Sequence, residues 1–220
     1  LISPILANVY LHYVLDLWLE KCIKKQLYGE AYLVRFADDF LIMFQYERDA
    51  QRVYEAVIKR MELFGLELSK EKTRILPFGR YSVTRETFDF LGFTHFNSKT
   101  RKGYYTVGHK ISRKKKKQFK SNLKKWVKEN RNTQFDEFMK ALNKKLTGSF
   151  NYYSLSGMIR EVRNLWHHSL YVTFKWINRR SQRRSFKLER FYEIWNDRII
   201  SPYIHVDIWR GDKAIYNRSV

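Results

Sequence analysis

The sequence predicts an α+β fold: a small antiparallel sheet with helices over roughly the first half, then an all-α region. Three observations predict it. Two short apolar runs, 31–36 and 40–46, rich in Val, Ile, Phe and Tyr, lie between two stretches of helical spacing. Beyond Ser112 the pattern is almost wholly helical. Charge divides near the same place. Residues 1–95 hold 13 Lys/Arg and 13 Asp/Glu, whereas residues 96–220 hold 30 of the 43 basic and 9 of the 22 acidic residues.

Taken in order, residues 5–25 read as a helix. Ile5, Leu6, Val9, Tyr13, Val14, Leu17 and Trp18 recur at helical spacing, and Pro4 suits a first-turn position. The runs 31–36 and 40–46, split by Ala37-Asp38-Asp39, read as a hairpin. Residues 48–64 return to helical spacing through Ala50, Val53, Tyr54, Val57, Ile58, Met61 and Phe64, and Gly65 ends them. "LSKEKTRILPFG" reads as a turn leading into a strand. Residues 88–96 and 103–108 read as a second strand pair around the basic loop 97–102. Helices follow over 112–129, over 134–147 with Thr133 as N-cap, and over 155–180. Residues 201–217 read as an extended tail with a Gly-Asp turn.

At 220 residues, 44% hydrophobic and 17% aromatic, the chain suffices for one sizeable core or two small domains. Its apolar runs fall far short of the ~20 residues that cross a bilayer, and no secretory signal is visible. Neither a membrane role nor secretion is expected. A single cysteine, Cys22, excludes an internal disulfide and points to a reducing compartment. The chain opens Leu1-Ile2-Ser3-Pro4 without an initiator Met, so a fragment, or a chain ordered only from here on, is expected.

The net charge of +21 lies entirely in the second half. A like-charged surface of that size repels itself unless a polyanion neutralises it. Residues 99–131 carry 14 Lys/Arg and one acid, Glu129. An ordinary surface helix would mix signs. Here Phe119, Leu123, Trp126 and Val127 remain to hold the helix to a core. Arg113, Lys114, Lys115, Lys116, Lys117, Lys120 and Lys124, with Arg179, Arg180, Arg183 and Arg184 in "KWINRRSQRRSFK", are the nucleic-acid-binding candidates. Binding through them should weaken steeply with salt. Of the aromatics, Trp166, Trp176, Trp195 and Trp209 read mostly as core, and Tyr152 or Tyr153 as an exposed base contact. His167-His168 and Cys22 have no partners at metal-ligand spacing and read as structural.

Two adjacent aspartates interrupt the apolar stretch "LVRFADDFLIMF", residues 33–44. In a strand, neighbouring side chains point to opposite faces, but a tight bend relaxes that constraint. Unpaired, two such carboxylates repel each other and resist desolvation. A divalent cation removes both penalties, and Mg²⁺ favours carboxylates combined with substrate phosphates. The plainer account is that Asp is a common turn residue.

The surroundings decide between these. "RFADDF" resembles the Tyr/Phe-Ala-Asp-Asp box of reverse transcriptases, and its neighbours resemble that family in order. "LISPILANVYLHYVLD" precedes it, then "FGLELSKEKTRIL" and "FDFLGF" follow. Downstream, "WINRRSQRRSFKLERF" resembles the end of the thumb, or domain X, of group II intron reverse transcriptases and maturases. CRISPR-linked and diversity-generating reverse transcriptases remain open as variants.

The resemblance implies a partial polymerase palm over 1–110, a helical maturase-like thumb over 111–195 and a C-terminal tail over 196–220. It implies RNA-directed DNA polymerase activity on an RNA template, with an RNA-DNA duplex and dNTP as partners, a maturase role on intron RNA, and a bacterial cytoplasmic or organellar setting. Two Mg²⁺ ions ~3.5–4 Å apart, or Mn²⁺ in their place, would serve the phosphoryl transfer. Asp38 matches the main metal ligand and Asp39 the second, more weakly ligating acid. Lys72 matches a lysine near the incoming triphosphate; pairing with Glu71 or Glu67 is the alternative for it. Phe36 stands where many relatives have Tyr and would pack on the primer terminus, with Asn8 in the primer- and nucleotide-proximal segment. Arg35 is open between substrate contact and a solvent-facing strand position. The family's third carboxylate and its Pro-Gln-Gly segment lie upstream of Leu1 in this resemblance, so no polymerase activity is expected from these residues alone. A non-catalytic RNA-binding splicing cofactor is the competing reading.

Overall fold

The structure is a computed structural model that describes residues 2–69, 71–180 and 185–203. Arg183, Arg184, Trp209 and residues 204–220 of the expected tail lie outside the described residues. The fold is mixed, two small antiparallel sheets with helices, as the sequence predicts. The chain divides into two compact units, Leu1–Leu91 with Lys99–Thr106, and Gly92–Ser98 with Val107–Val220.

The first unit opens with α1 (Ser3–Leu11), Pro4 in its first turn, continued by π-helical turns at His12–Asp16 and Leu19–Ile23. The expected inward face is only partly correct. Val14 is buried as expected, but Ile5, Leu6, Val9 and Tyr13 are exposed, and Leu15 and Leu19 join Val14 in the core. Helix α1 itself buries no residue, and contact with the core begins only in the π turns that follow, at Val14, Leu15 and Leu19.

Strands β1 (Ala31–Phe36) and β2 (Asp39–Phe44) pair antiparallel, from Ala31 opposite Phe44 to Phe36 opposite Asp39. This register sends Leu33, Phe40, Ile42 and Phe44 into a core shared with Val53, Val57 and Met61. Tyr32, Val34, Phe36 and Met43 occupy the other, exposed face. Helix α2 (Glu47–Leu63) buries Val53, Val57 and Met61 at i, i+4, i+8 spacing. Full burial of each is worth about 1.5–3 kcal/mol. Buried Asp49 accepts the N–H groups of Tyr28 at 3.0 Å and Gly29 at 3.1 Å, fixing the entry to the hairpin. Gly65, at φ +68°, closes α2 as expected: its N–H reaches the Glu62 carbonyl and that of Leu66 reaches Met61.

The strand expected after "LSKEKT" does not form. Residues 74–78 make no ladder, although Arg74 donates to the Thr87 carbonyl at 2.7 Å. The expected strand over 88–96 is two strands, β3 (Thr87–Phe90) and β4 (Phe93–Lys99), joined by Leu91-Gly92. Both turn residues have positive φ, +50° and +82°, the signs of a type I′ hairpin. Leu91 gives no sequence signal for this. Strand β5 (Tyr105–Ile111) completes the order β3-β4-β5.

The second unit carries α3 (Arg113–Asn130), α4 (Phe135–Tyr153), α5 (Ile159–Ile177) and α6 (Leu188–Arg198). Ser112 caps α3, accepting the Lys115 N–H at 3.3 Å. Helix α4 runs to Tyr153, beyond the expected end at 147. Its N-cap position is Gln134, not Thr133. Helix α6 was not expected as a separate element. Its Phe191 and Trp195 are fully buried with Leu123, Val127, Phe138, Leu142, Val162, Leu170 and Ile177. Trp166 and Trp195 meet edge to face at 5.8 Å, core aromatics as read from their spacing. No helix among the described residues is long and apolar enough to cross a membrane.

Candidate active site and nucleic-acid interface

The β1–β2 loop has two residues, Ala37 and Asp38, because Phe36 pairs with Asp39. Ala37 has φ +53° and Asp38 does not have positive φ, the sign pattern of a type II′ hairpin turn. Glycine is the usual occupant of that first position, so Ala37 stores strain of order 1–3 kcal/mol. Asp38 therefore sits on the turn, while Asp39 begins β2 on the same exposed face as Phe36. All three are exposed, and Phe36 is 65% accessible. Neither carboxylate is in an ion pair among the described residues.

Arg35 points the other way. Its Nε and Nη2 donate to Asp16 Oδ1 at 2.8 Å and Oδ2 at 2.7 Å, a two-pronged pair. Its Nη1 donates to Asn8 Oδ1 and to the Ala37 carbonyl, each at 2.9 Å. One guanidinium thus ties α1 and the following π turn to the bend that carries Asp38. The Arg35 hydrogen bond, with its charge, holds the Asp16 carboxyl below the ordinary Asp value, and His12 assists from 3.2 Å. Arg35 is accordingly neither solvent-facing nor free. Asn8, expected near primer and nucleotide, spends its amide on Pro4 O at 3.1 Å and its oxygen on Arg35.

Lys72 lies on an exposed turn whose backbone N–H reaches the Ser69 carbonyl at 3.0 Å. Its ammonium pairs with neither Glu71 nor Glu67. Among the described residues no group of three or more His, Cys, Asp or Glu is placed to hold a metal. Two adjacent, unpaired carboxylates nonetheless suit Mg²⁺. That ion keeps several waters and takes one or two carboxylates, leaving the rest of its shell to substrate phosphates.

In the second unit, Arg113, Lys114, Lys115, Lys117, Lys120 and Lys124 are exposed along α3. Lys116 differs: half-buried, it donates to Glu161 Oε1 at 2.7 Å. The opposite end of α3 carries a cluster that the residue-by-residue reading missed. Lys128, Arg131 and Arg179 lie 5.8, 5.4 and 5.4 Å from the centre of the Trp176 ring. None of the three pairs with a carboxylate among the described residues. Arg180 turns inward, donating to the Thr133 carbonyl at 3.1 Å and lying over Phe138; burial lowers its pKa. Tyr152 is 52% exposed and stacks on Phe93 at 5.6 Å, whereas burial raises the Tyr153 hydroxyl. Cys22 is an exposed free thiol.

Residues 1–95 match the family model for reverse transcriptase (RNA-dependent DNA polymerase), and residues 116–193 match that for the group II intron maturase-specific domain. The chain belongs to the group II intron reverse transcriptase/maturase family. The reverse transcriptase match contains the Asp38–Asp39 hairpin and its Arg35 tether. The maturase-specific match contains α4, α5 and most of α3, including the Trp176 cluster. The two domains imply nucleic-acid binding, intron RNA in particular. No curated protein matches this chain.

Asp16, Lys128 and Arg131 are the residues that sequence reasoning left unassigned. Asp16 carried one available signal, being the only acid in a largely apolar stretch from Leu1 to Leu19.

Proposed function

We propose that the chain carries the metal-binding and RNA-holding parts of an RNA-directed DNA polymerase of the group II intron type. The observation that carries this is the exposed, unpaired Asp38–Asp39 pair, Asp38 on a strained two-residue turn and Asp39 at the start of β2, within residues that match a reverse transcriptase. Asp38 and Asp39 would hold Mg²⁺, which when bound stabilises negative charge on the reacting phosphates. Phe36, on the face and at the ladder position that Asp39 shares, offers an aromatic surface for a primer terminus. Lys72 offers an unpaired cation to a nucleotide's phosphates. Lys117, Lys120 and Lys124, with the Trp176 cluster, grip RNA through its backbone, since an A-form helix hides its base edges in a deep, narrow groove. That grip also serves a maturase role on intron RNA.

The test is primer extension on an RNA template by the full-length protein, wild type against Asp38→Ala. Lost extension with RNA binding retained is the expected result. Equal extension by both proteins overturns the proposal. RNA binding with no extension by either identifies a splicing cofactor instead.

A further inference from the structure

We infer that Asp16 is a positioning residue that keeps the Arg35 charge off the Asp38–Asp39 pair, so that both carboxylates stay free for a divalent cation. The inference rests on the metal-binding role proposed above. Arg35 lies three residues before Asp38, on the strand that leads into the turn, so it is the cation nearest to the pair along the chain. Unrestrained, its guanidinium would form the two-pronged carboxylate pair that this geometry favours and would compete with the metal.

Three features prevent this. Arg35 leaves β1 on the face opposite Asp39, because the register places Phe36, not Arg35, opposite Asp39. Asp16 takes Nε and Nη2, while Asn8 and the Ala37 carbonyl take Nη1, so four of the five N–H donors are engaged. The Asp16 carboxylate also cancels the guanidinium charge, which leaves the turn with the full charge of Asp38 and Asp39. Asp16 touches no reacting atom in this scheme; it acts through Arg35.

Mn²⁺ binding to the full chain tests this, read from the loss of the free-ion electron paramagnetic resonance signal. Asp16→Asn should weaken binding roughly three- to tenfold, the size expected for one uncancelled charge several Å away in a medium between water and protein. Arg35→Gln alone should bind as well as wild type or better. The Asp16→Asn/Arg35→Gln double variant should return to within about twofold of wild type. A purely structural role predicts the opposite: both single variants weaken binding and the double is no better. That pattern overturns the inference. If Asp16→Asn does not fold, Arg35→Gln alone decides, because weakened Mn²⁺ binding by that variant sinks the idea. Asp38→Ala separates the two levels of the argument. If it leaves Mn²⁺ binding unchanged, the metal reading itself fails; if it abolishes binding while the double variant stays weak, only the Asp16 role fails.

Discussion

Glu161, on α5, accepts the Lys116 ammonium at 2.7 Å on one oxygen and the Ile111 N–H at 3.0 Å on the other. One half-buried carboxylate therefore ties β5, α3 and α5 of the second unit together. Glu161→Ala should remove the ion pair and leave the Ile111 N–H without its partner, a loss of about 1–3 kcal/mol in urea unfolding. Lys116→Gln should lower stability by less, about 1 kcal/mol or under, because the pair is part-exposed. Lys116→Gln should also change RNA affinity less than Lys117→Gln, although the two lysines are neighbours. Fluorescence anisotropy with an RNA hairpin compares them.

Arg131, Lys128 and Arg179 surround one indole without a carboxylate partner among the described residues, so they are available to phosphates. Replacing all three by Gln should reduce the slope of log affinity against log salt by about two to three, close to one unit for each phosphate no longer neutralised. An unchanged slope between about 50 and 200 mM salt would show that RNA does not reach this end of α3. Lys120→Gln/Lys124→Gln is the comparison from the exposed middle of the same helix.

The hairpin was legible because its signals are local: two β-branched and aromatic runs with a polar break. Helix α2 and its glycine stop were legible for the same reason. The inward face of the first helix was not, since the apolar spacing of Ile5, Leu6 and Val9 reads as a buried stripe whereas α1 buries no residue and the core contacts begin at Val14. The Leu91-Gly92 turn was missed because leucine rarely adopts positive φ. Half of the candidate site was legible as well. Asp38-Asp39 is a visible anomaly in an apolar run, whereas the Arg35–Asp16 pairing joins residues 19 apart and depends on register. The Trp176 cluster likewise needs α3 and α5 side by side before its cations gather.

His168, half-buried on α5, has its pKa lowered by burial and then by the charge of Lys120. Its folded-state pKa therefore lies below the ordinary 6.5, and the unfolded chain takes up that proton first. The neutral form contributes stability that is fully present above 6.5 and declines as pH falls through 6.5 towards the folded value. Wild type should lose stability between about pH 7.5 and 5 more steeply than His168→Gln in urea unfolding. Parallel curves would assign the loss to other groups.

Ala37 adopts φ +53° at the first position of the turn that presents Asp38. Glycine reaches that conformation without a Cβ penalty, whereas a β-branched residue there is a genuine outlier. Relief of strain in Ala37→Gly is opposed by the larger entropy of an unfolded glycine, so stability should change by no more than about 1 kcal/mol. Ala37→Val should cost about 1–3 kcal/mol or force the turn to rearrange. Rearrangement has a distinct signature, because a one-residue slip would move Asp39 from the exposed face shared with Phe36 to the packed face of Leu33 and Ile42. A buried, unpaired carboxylate is costly, so the chain should loosen the whole hairpin instead of accepting the slip. Hydrogen exchange at Val34 and Leu41 reads this directly: protection retained in Ala37→Gly and lost in Ala37→Val is the expected result. Equal protection in both variants would mean that the strands alone fix the turn and that Ala37 carries no strain that matters to it.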